Sequence, residues 1–349
     1  MSSVARDVIW PTDAEVLVRV VFLHVGQGDS TVVLAAEGET YKCMLIDTNV
    51  DGKNGGVDVP RLMEDLLDGE SLRAFVNTHP HNDHLRGLSE LDEKVEIKEV
   101  WHSGHKPGKA HDDSYKTLKR VIDKVKSAGG REVVLKGSRS PLQFGEAECY
   151  VLAPAAYVTD DIEGEKPEAR YQRIHEQCAV LRLGKDDTWV MVPGDADRDA
   201  WEKHITDYHK KRLPAAVLGA AHHGSRSFFR HDEEEDPYED ALEAIGPTYV
   251  IISAPTSEES EHDHPHQDAV EIYEEHVGRD NVLHTGEKRH SFICDVFRDG
   301  SYHIFSDNGE LAEEYATEEE DDRERGSAPP KAAPAIVATR VDRRPMGSL

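Results

Sequence analysis

Thr78-His79-Pro80-His81-Asn82-Asp83-His84 sets three imidazoles and one carboxylate within six residues, directly after an apolar run at residues 72–76. The apolar run reads as a buried strand and the polar stretch as the loop at its end. Four ligand-type groups crowded at a strand end would repel or desolvate one another unless they shared a cation. A bound metal is the simplest reading, against the plainer one of a solvated, His-rich surface loop. Side chains two apart on an extended backbone point the same way, so His79 and His81 are expected to converge on one ion. Asp83 and His84, beyond the turn, are expected to face a second.

His-x-His-x-Asp-His at a strand end resembles the signature of the metallo-β-lactamase superfamily, whose members are mostly binuclear metallohydrolases. The resemblance implies an α/β fold, the four-layer αββα sandwich, and further ligands in a set order. Those are His175, a bridging Asp195 in Val192-Pro193-Gly194-Asp195, and a histidine in His222-His223-Gly224-Ser225. Two earlier stretches, His24-Val25-Gly26-Gln27-Gly28-Asp29-Ser30 and Leu45-Ile46-Asp47-Thr48, look like paired motifs of the branch that includes the hydrolase domain of the competence protein ComEC. His24 stands where that branch usually has Asp, and Asn49 where it usually has Gly. The glycines let the backbone pass close under the metal loop, and Asp47 is placed to orient a ligand imidazole from behind.

By the same resemblance His223 completes the second metal site while His222 faces a substrate phosphate. His264-Pro265 matches another element of the branch and implies a substrate-facing or proton-donating imidazole. His175 occupies a position that is often Asn there. The implied cofactors are two divalent ions, Zn2+ or Mn2+, bridged by Asp195, which would lower the pKa of a shared water. Asp83, His222 and His264 are the candidate catalytic side chains, with His222 or His264 protonating the leaving alkoxide. The activity implied is phosphodiester cleavage, with DNA or RNA as substrate. The alternatives are a small phosphodiester or ester, such as a cyclic nucleotide or a phosphorylcholine ester, and a non-catalytic interaction module on the same fold.

Composition bears on that choice. A protein that tracks a polyphosphate backbone usually offers a basic groove, whereas this chain carries a formal charge of −28. The acidity weakens the nucleic-acid reading and fits salt adaptation or a small substrate. No apolar run approaches the roughly 18 residues of a membrane span, and the N-terminus lacks a basic region followed by an apolar core. No membrane partner is expected, and the chain reads as soluble and cytoplasmic. Cys43, Cys149, Cys178 and Cys294 are scattered in apolar runs without paired spacing, so they are expected as buried free thiols.

At 349 residues and 38% hydrophobic content the chain supports one large domain. It is divided into a lead-in over 1–13, a hydrolase domain over 14–308, and a tail over 309–349 that is acidic and then rich in Pro and Ala. The tail reads as flexible, a tether through which a protein partner could bind. Strands are expected at 16–25, 31–35, 41–46, 95–101, 133–135, 147–152, 179–183, 188–192 and 215–221, with 249–253 as the last inner strand and closing strands at 292–297 and 302–305. Helical spacing appears over 113–128, 198–208, 238–245 and 267–277. Residues 159–173 read as a surface excursion, and His102 and His105 as a polar loop or a substrate contact.

Overall fold

The computed structural model describes residues 2–107, 112–260 and 262–317. Its opening strands are apolar almost without interruption because both of their faces are covered, and alternate side chains enter different cores. In β1 (Val16–Phe22), Val18, Val20 and Phe22 point between two sheets, whereas Val21 points to an outer helical layer. β2 (Thr31–Glu37) and β3 (Thr40–Ile46) divide the same way, with Val33, Met44 and Ile46 inside and Val32, Leu34 and Leu45 outside.

The remaining strands in chain order are β4 (Ala74–Asn77), β5 (Glu99–His102), β6 (Arg131–Val134), β7 (Leu142–Phe144), β8 (Ala147–Ala153), β9 (Val180–Lys185), β10 (Thr188–Val192), β11 (Val217–Gly219), β12 (Tyr249–Ile252), β13 (Val282–His284), β14 (Phe292–Phe297) and β15 (Tyr302–Ser306). One sheet runs β15-β14-β1-β2-β3-β4-β5-β6 and the other β13-β12-β11-β10-β9-β8-β7. Each combines an antiparallel part with a parallel one: β3 to β6 are parallel in the first, β10 to β13 in the second.

Helices cover both outer faces. Over the first sheet lie Val59–Leu67, Leu88–Lys94 and Asp112–Ser127, which bury Leu62, Leu66, Leu88, Leu91, Leu118 and Val121. Over the second, Trp201, Phe228, Leu242 and Tyr273 form the opposite outer core. The result is the expected αββα sandwich, which places the C-terminal ends of β3, β4, β10, β11 and β12 at one edge, where ligand-binding loops of α/β sheets gather. All four cysteines are buried free thiols. No helix among the described residues is long and apolar enough to cross a membrane.

Three boundaries differ from the sequence reading. β12 is not the last inner strand, since β13 pairs beyond it in parallel. The surface excursion expected over 159–173 contains two short helices, Ala156–Glu163 and Pro167–Gln172, tied by Arg173 to Asp161, Glu165 and Glu176. Short helices also lie outside the expected domain limits of 14 and 308. The helix Val4–Ile9 buries Ala5 and Ile9, and Glu310–Glu314 leads into Tyr315, whose hydroxyl donates to Asp65 at 2.9 Å and accepts from the Ala5 N–H at 3.2 Å. Short apolar repeats of this length are too weak a signal to find by spacing. The rest of the expected tail, residues 318–349, lies outside the described residues.

Candidate metal centre

β4 ends at Asn77, and the chain turns through a short 3-10 segment, Asn82–His84, that aims its side chains back toward the sheet edge. β10 ends two residues before Gly194, whose φ of 52° turns the chain so that Asp195 points inward. A Cβ at Gly194 would press on Thr78 and on the Cys178 thiol, so only glycine fits where these loops meet. After β11, His222 and His223 occupy consecutive left-handed conformations, φ 50° and 56°, and Asp47 after β3 does the same at 55°. Such backbone costs about 1–3 kcal/mol per non-glycine residue and persists where packing over-determines it, commonly at functional sites.

Two four-residue groupings result, each with ligand atoms within 4.8 Å of one another: His79, His81, His175 and Asp195, and Asp29, His84, Asp195 and His223. Asp195 belongs to both. Its Oδ2 lies 3.4 Å from His79 Nε2 and 3.7 Å from His175 Nε2, while Oδ1 lies 3.2 Å from His84 Nε2 and 3.6 Å from His223 Nε2. His175 Nε2 is also 3.3 Å from His81 Nδ1. Of the sequence-derived ligands, Asp83 alone stands outside both groupings. It is partly exposed, and its Oδ2 lies 3.4 Å from His223 Nε2, while the second grouping includes Asp29.

The outward nitrogens of the ligand rings are held from behind. Asp47 accepts from His84 Nδ1 at 2.8 Å and from the Thr78 hydroxyl at 2.5 Å, and that hydroxyl can in turn accept from His79 Nδ1 at 3.2 Å. His223 Nδ1 donates to the Ser253 carbonyl at 3.1 Å. In each case Nδ1 is turned to an acceptor behind the ring, so Nε2 is the nitrogen facing inward. His79 Nε2, His84 Nε2, His223 Nε2 and Asp195 Oδ1 are all buried without a hydrogen-bond partner. Several orphaned lone pairs converging on one buried carboxylate would be costly unless a cation satisfied them, so these residues fit metal ions.

Electrostatics follows the same arrangement. Burial opposes charge on His84, but the carboxylates of Asp195, Asp47 and Asp83 outweigh it and hold its pKa well above the usual value. His223 is raised likewise against burial, by Asp195 and Asp29. Burial prevails at His79 and His222 and pulls both well below. Burial would raise Asp195, yet His84, His222 and His223 hold it well below the ordinary carboxylate range.

His222 and His264 flank the centre. His222 Nδ1 pairs with Ser227 Oγ at 2.8 Å, its Nε2 lies 3.6 Å from Asp195 Oδ2, and the two rings are 5.0 Å apart. Burial pushes His264 down to about 3. His102 and His105 stand aside: His102 pairs with Glu132 at 3.2 Å and the buried His105 with Gln177 at 2.6 Å. His24 also stays outside both groupings, with Nε2 3.2 Å from the Asn54 carbonyl. Asn49 clamps the glycine loop, donating to the Val25 and Gln27 carbonyls at 3.0 and 2.7 Å.

The αββα sandwich thus carries, at its strand ends, a His/Asp cluster able to hold metal ions. Residues 25–170 match the family model of the metallo-beta-lactamase superfamily. Among solved structures the chain is similar to a diphosphatase from the PhnP family, at 14% identity over 76% of this chain and 94% of that one, with a TM-score of 0.37. A beta-lactamase domain protein from Burkholderia ambifaria is 12% identical over 54% of this chain and 55% of that one, TM-score 0.30. A metallo beta lactamase from Hirschia baltica is 11% identical over 67% and 81%, TM-score 0.28. No curated protein matches the chain.

Proposed function

We propose that this chain is a binuclear metal-dependent hydrolase of phosphodiester bonds, with nucleic acid as the leading substrate class in the manner of the ComEC branch. The observation that carries the two-ion reading is Asp195, whose two carboxylate oxygens face different sets of imidazoles. His79, His81 and His175 would hold one ion and His84 and His223 the other, with Asp195 shared. Divalent ions there supply Lewis acidity and make water nucleophilic near neutral pH.

The chain's own groups do the rest. Asp47 and the Ser253 carbonyl fix the ligand rings in one tautomer. His222, oriented by Ser227, and His264 beside it present N–H groups to phosphoryl oxygens and hold the proton for the leaving oxygen. Asp83, partly exposed, lies 3.4 Å from His223 Nε2 at the edge of the centre.

One observation favours a small phosphodiester as a second reading. Arg226 and Arg230, the cations that follow the His222–Ser225 loop, are already paired with Glu233 and Asp268, and the whole chain is strongly acidic. Phosphate tracking needs cations free to bind it.

Incubating protein loaded with Mn2+ or Zn2+ with linear single-stranded DNA, RNA, cyclic nucleotides and a chromogenic phosphodiester separates the readings. Cleavage of polymer, lost in Asp195→Asn, is the expected result. Turnover of the small diesters alone would overturn the nuclease assignment, and turnover of none would overturn the phosphodiesterase reading altogether.

A further inference from the structure

The helix Pro167–Gln172 contributes no buried residue, so apolar packing does not account for its place in the fold. What holds it is Arg173 at its C-terminal end. That guanidinium donates to Asp161 at 2.7 Å, to Glu165 at 2.6 Å and, through two nitrogens, to Glu176 at 2.6 and 2.9 Å. Glu176 directly follows His175 of the metal centre and also pairs with His204 Nε2 at 2.8 Å. Charged contacts therefore fix the helix to the segment that carries His175.

Tyr171 and Arg170 stand on this helix. Tyr171 is 39% exposed, and its ring centroid lies 5.9 Å from that of His81, with the planes tilted by 50°. A single exposed aromatic side chain is ordinary, but one held next to a metal-centre imidazole offers an apolar face to whatever enters there. Arg170 Nε is buried without a hydrogen-bond partner, and Glu163, an acid that feels its charge, is already paired with Lys106. Arg173, Arg226 and Arg230 are, by contrast, engaged by carboxylates. The charge of Arg170 is also felt at His105, which belongs to neither grouping.

Resting on the phosphodiesterase reading above, we infer that Tyr171 and Arg170 form a nucleotide subsite beside His81. The Tyr171 ring stacks on the base next to the bond that is cut, and Arg170 pairs with the phosphate on the far side of that nucleoside. The two residues supply a strongly acidic chain with one contact for a base and one for the backbone, without a basic groove. A phosphorylcholine ester, with no base and no second phosphate, would use neither.

The test is equilibrium binding to the Mn2+-loaded protein, which requires no turnover. Inorganic phosphate, thymidine 5′-monophosphate and thymidine 3′,5′-bisphosphate are titrated by calorimetry into wild type, Tyr171→Ala, Tyr171→Phe and Arg170→Gln. Tyr171→Ala should weaken both nucleotides about tenfold or more, the scale of one base stacked on an aromatic ring, and leave inorganic phosphate unchanged. Tyr171→Phe should bind as wild type does. Arg170→Gln should weaken the bisphosphate alone, by about tenfold. Equal nucleotide affinity in wild type and Tyr171→Ala, or no nucleotide binding to wild type, would overturn the subsite. An Arg170→Gln effect equal on the two nucleotides would overturn the part given to Arg170. Nucleotide binding with the expected losses, in a protein that cleaves no phosphodiester, would leave the subsite standing and overturn the reading of the reaction.

Discussion

His84 Nδ1 donates to Asp47 Oδ2 at 2.8 Å, joining the end of β3 to the loop after β4 with both side chains buried. Asp47 belongs to neither grouping. It accepts in addition from the Thr78 backbone at 2.8 Å, the Thr78 hydroxyl at 2.5 Å and the Asn77 amide at 3.1 Å, so one carboxylate orders the whole entry to the metal loop. Asp47→Ala should weaken metal binding by about 10–100-fold, as the loss of groups behind metal-ligand histidines does. It should also cost about 2–4 kcal/mol of metal-free stability through stranded buried donors. Dialysis against Mn2+ and urea unfolding measure the two effects, and undiminished metal affinity would show that His84 is oriented by something else.

Removing metal should destabilise the fold. Ligand atoms left without partners in a buried cluster gain from any ion that binds only the native state. Metal at a hundred times its dissociation constant should restore about 2.7 kcal/mol per site. Asp195→Asn should abolish that recovery, because both groupings share this residue. Thermal unfolding with chelator and with added Mn2+ gives the comparison.

Gly28→Ala should disable the centre more than it harms the fold. The substitution forces a side chain into the Asp83 carbonyl at a φ of 143°, strain of about 1–3 kcal/mol that relaxes by moving one loop off the other. Circular dichroism should stay near wild type while hydrolytic activity falls by about 100-fold, the scale at which a 1 Å misplacement acts. Retained activity would show that the loops are not rigidly coupled.

His24 should make the protein acid-labile. Burial, with the Arg289 charge adding to it, pushes its pKa down from 6.5 to about 4. The unfolded chain therefore takes up a proton at higher pH than the folded one. This contribution to stability is complete above about 6.5, is lost as the pH falls from there through about 4, and amounts to about 3 kcal/mol. Urea unfolding of chelated wild type and His24→Gln at pH 7 and pH 5 isolates it, with the smaller pH dependence expected in the variant. Equal dependence in both would assign the lability to other groups.

Tyr315 tests how far the fold extends. Its ring is 1% exposed and its hydroxyl connects Asp65 to the backbone of Ala5. Tyr315→Ala should cost about 3–5 kcal/mol, the range for emptying a buried aromatic site. Tyr315→Phe should cost about 1 kcal/mol. An unchanged urea midpoint for Tyr315→Ala would return the segment to the status of a loose tail.

Much of this protein could be read along the chain. The strands at 188–192 and 292–297 and the helix at 267–277 coincide with β10, β14 and Gln267–Val277, because continuous apolar runs and 3.6-residue spacing are local signals. His79, His81 and His84, expected as ligands from their motif, and His175, Asp195 and His223, implied by the superfamily resemblance, all fall within the two groupings. The helix Val59–Leu67 was not among the elements expected from sequence, although Asp58 caps it and Pro60 stands in its first turn.

Asp29 and Asp83 mark where that kind of reading stops. Both are acids in short polar loops, and the His-rich motif marks Asp83 as a ligand while nothing beside Asp29 does. Their places depend on β1 lying beside β2 and β14 in one sheet, on Ser253 arriving from the other sheet, and on a glycine narrow enough for two backbones to touch. Residue chemistry is carried by each position alone, whereas a shared metal site is a distance between loops far apart in sequence, and such distances exist only once the sheets have packed.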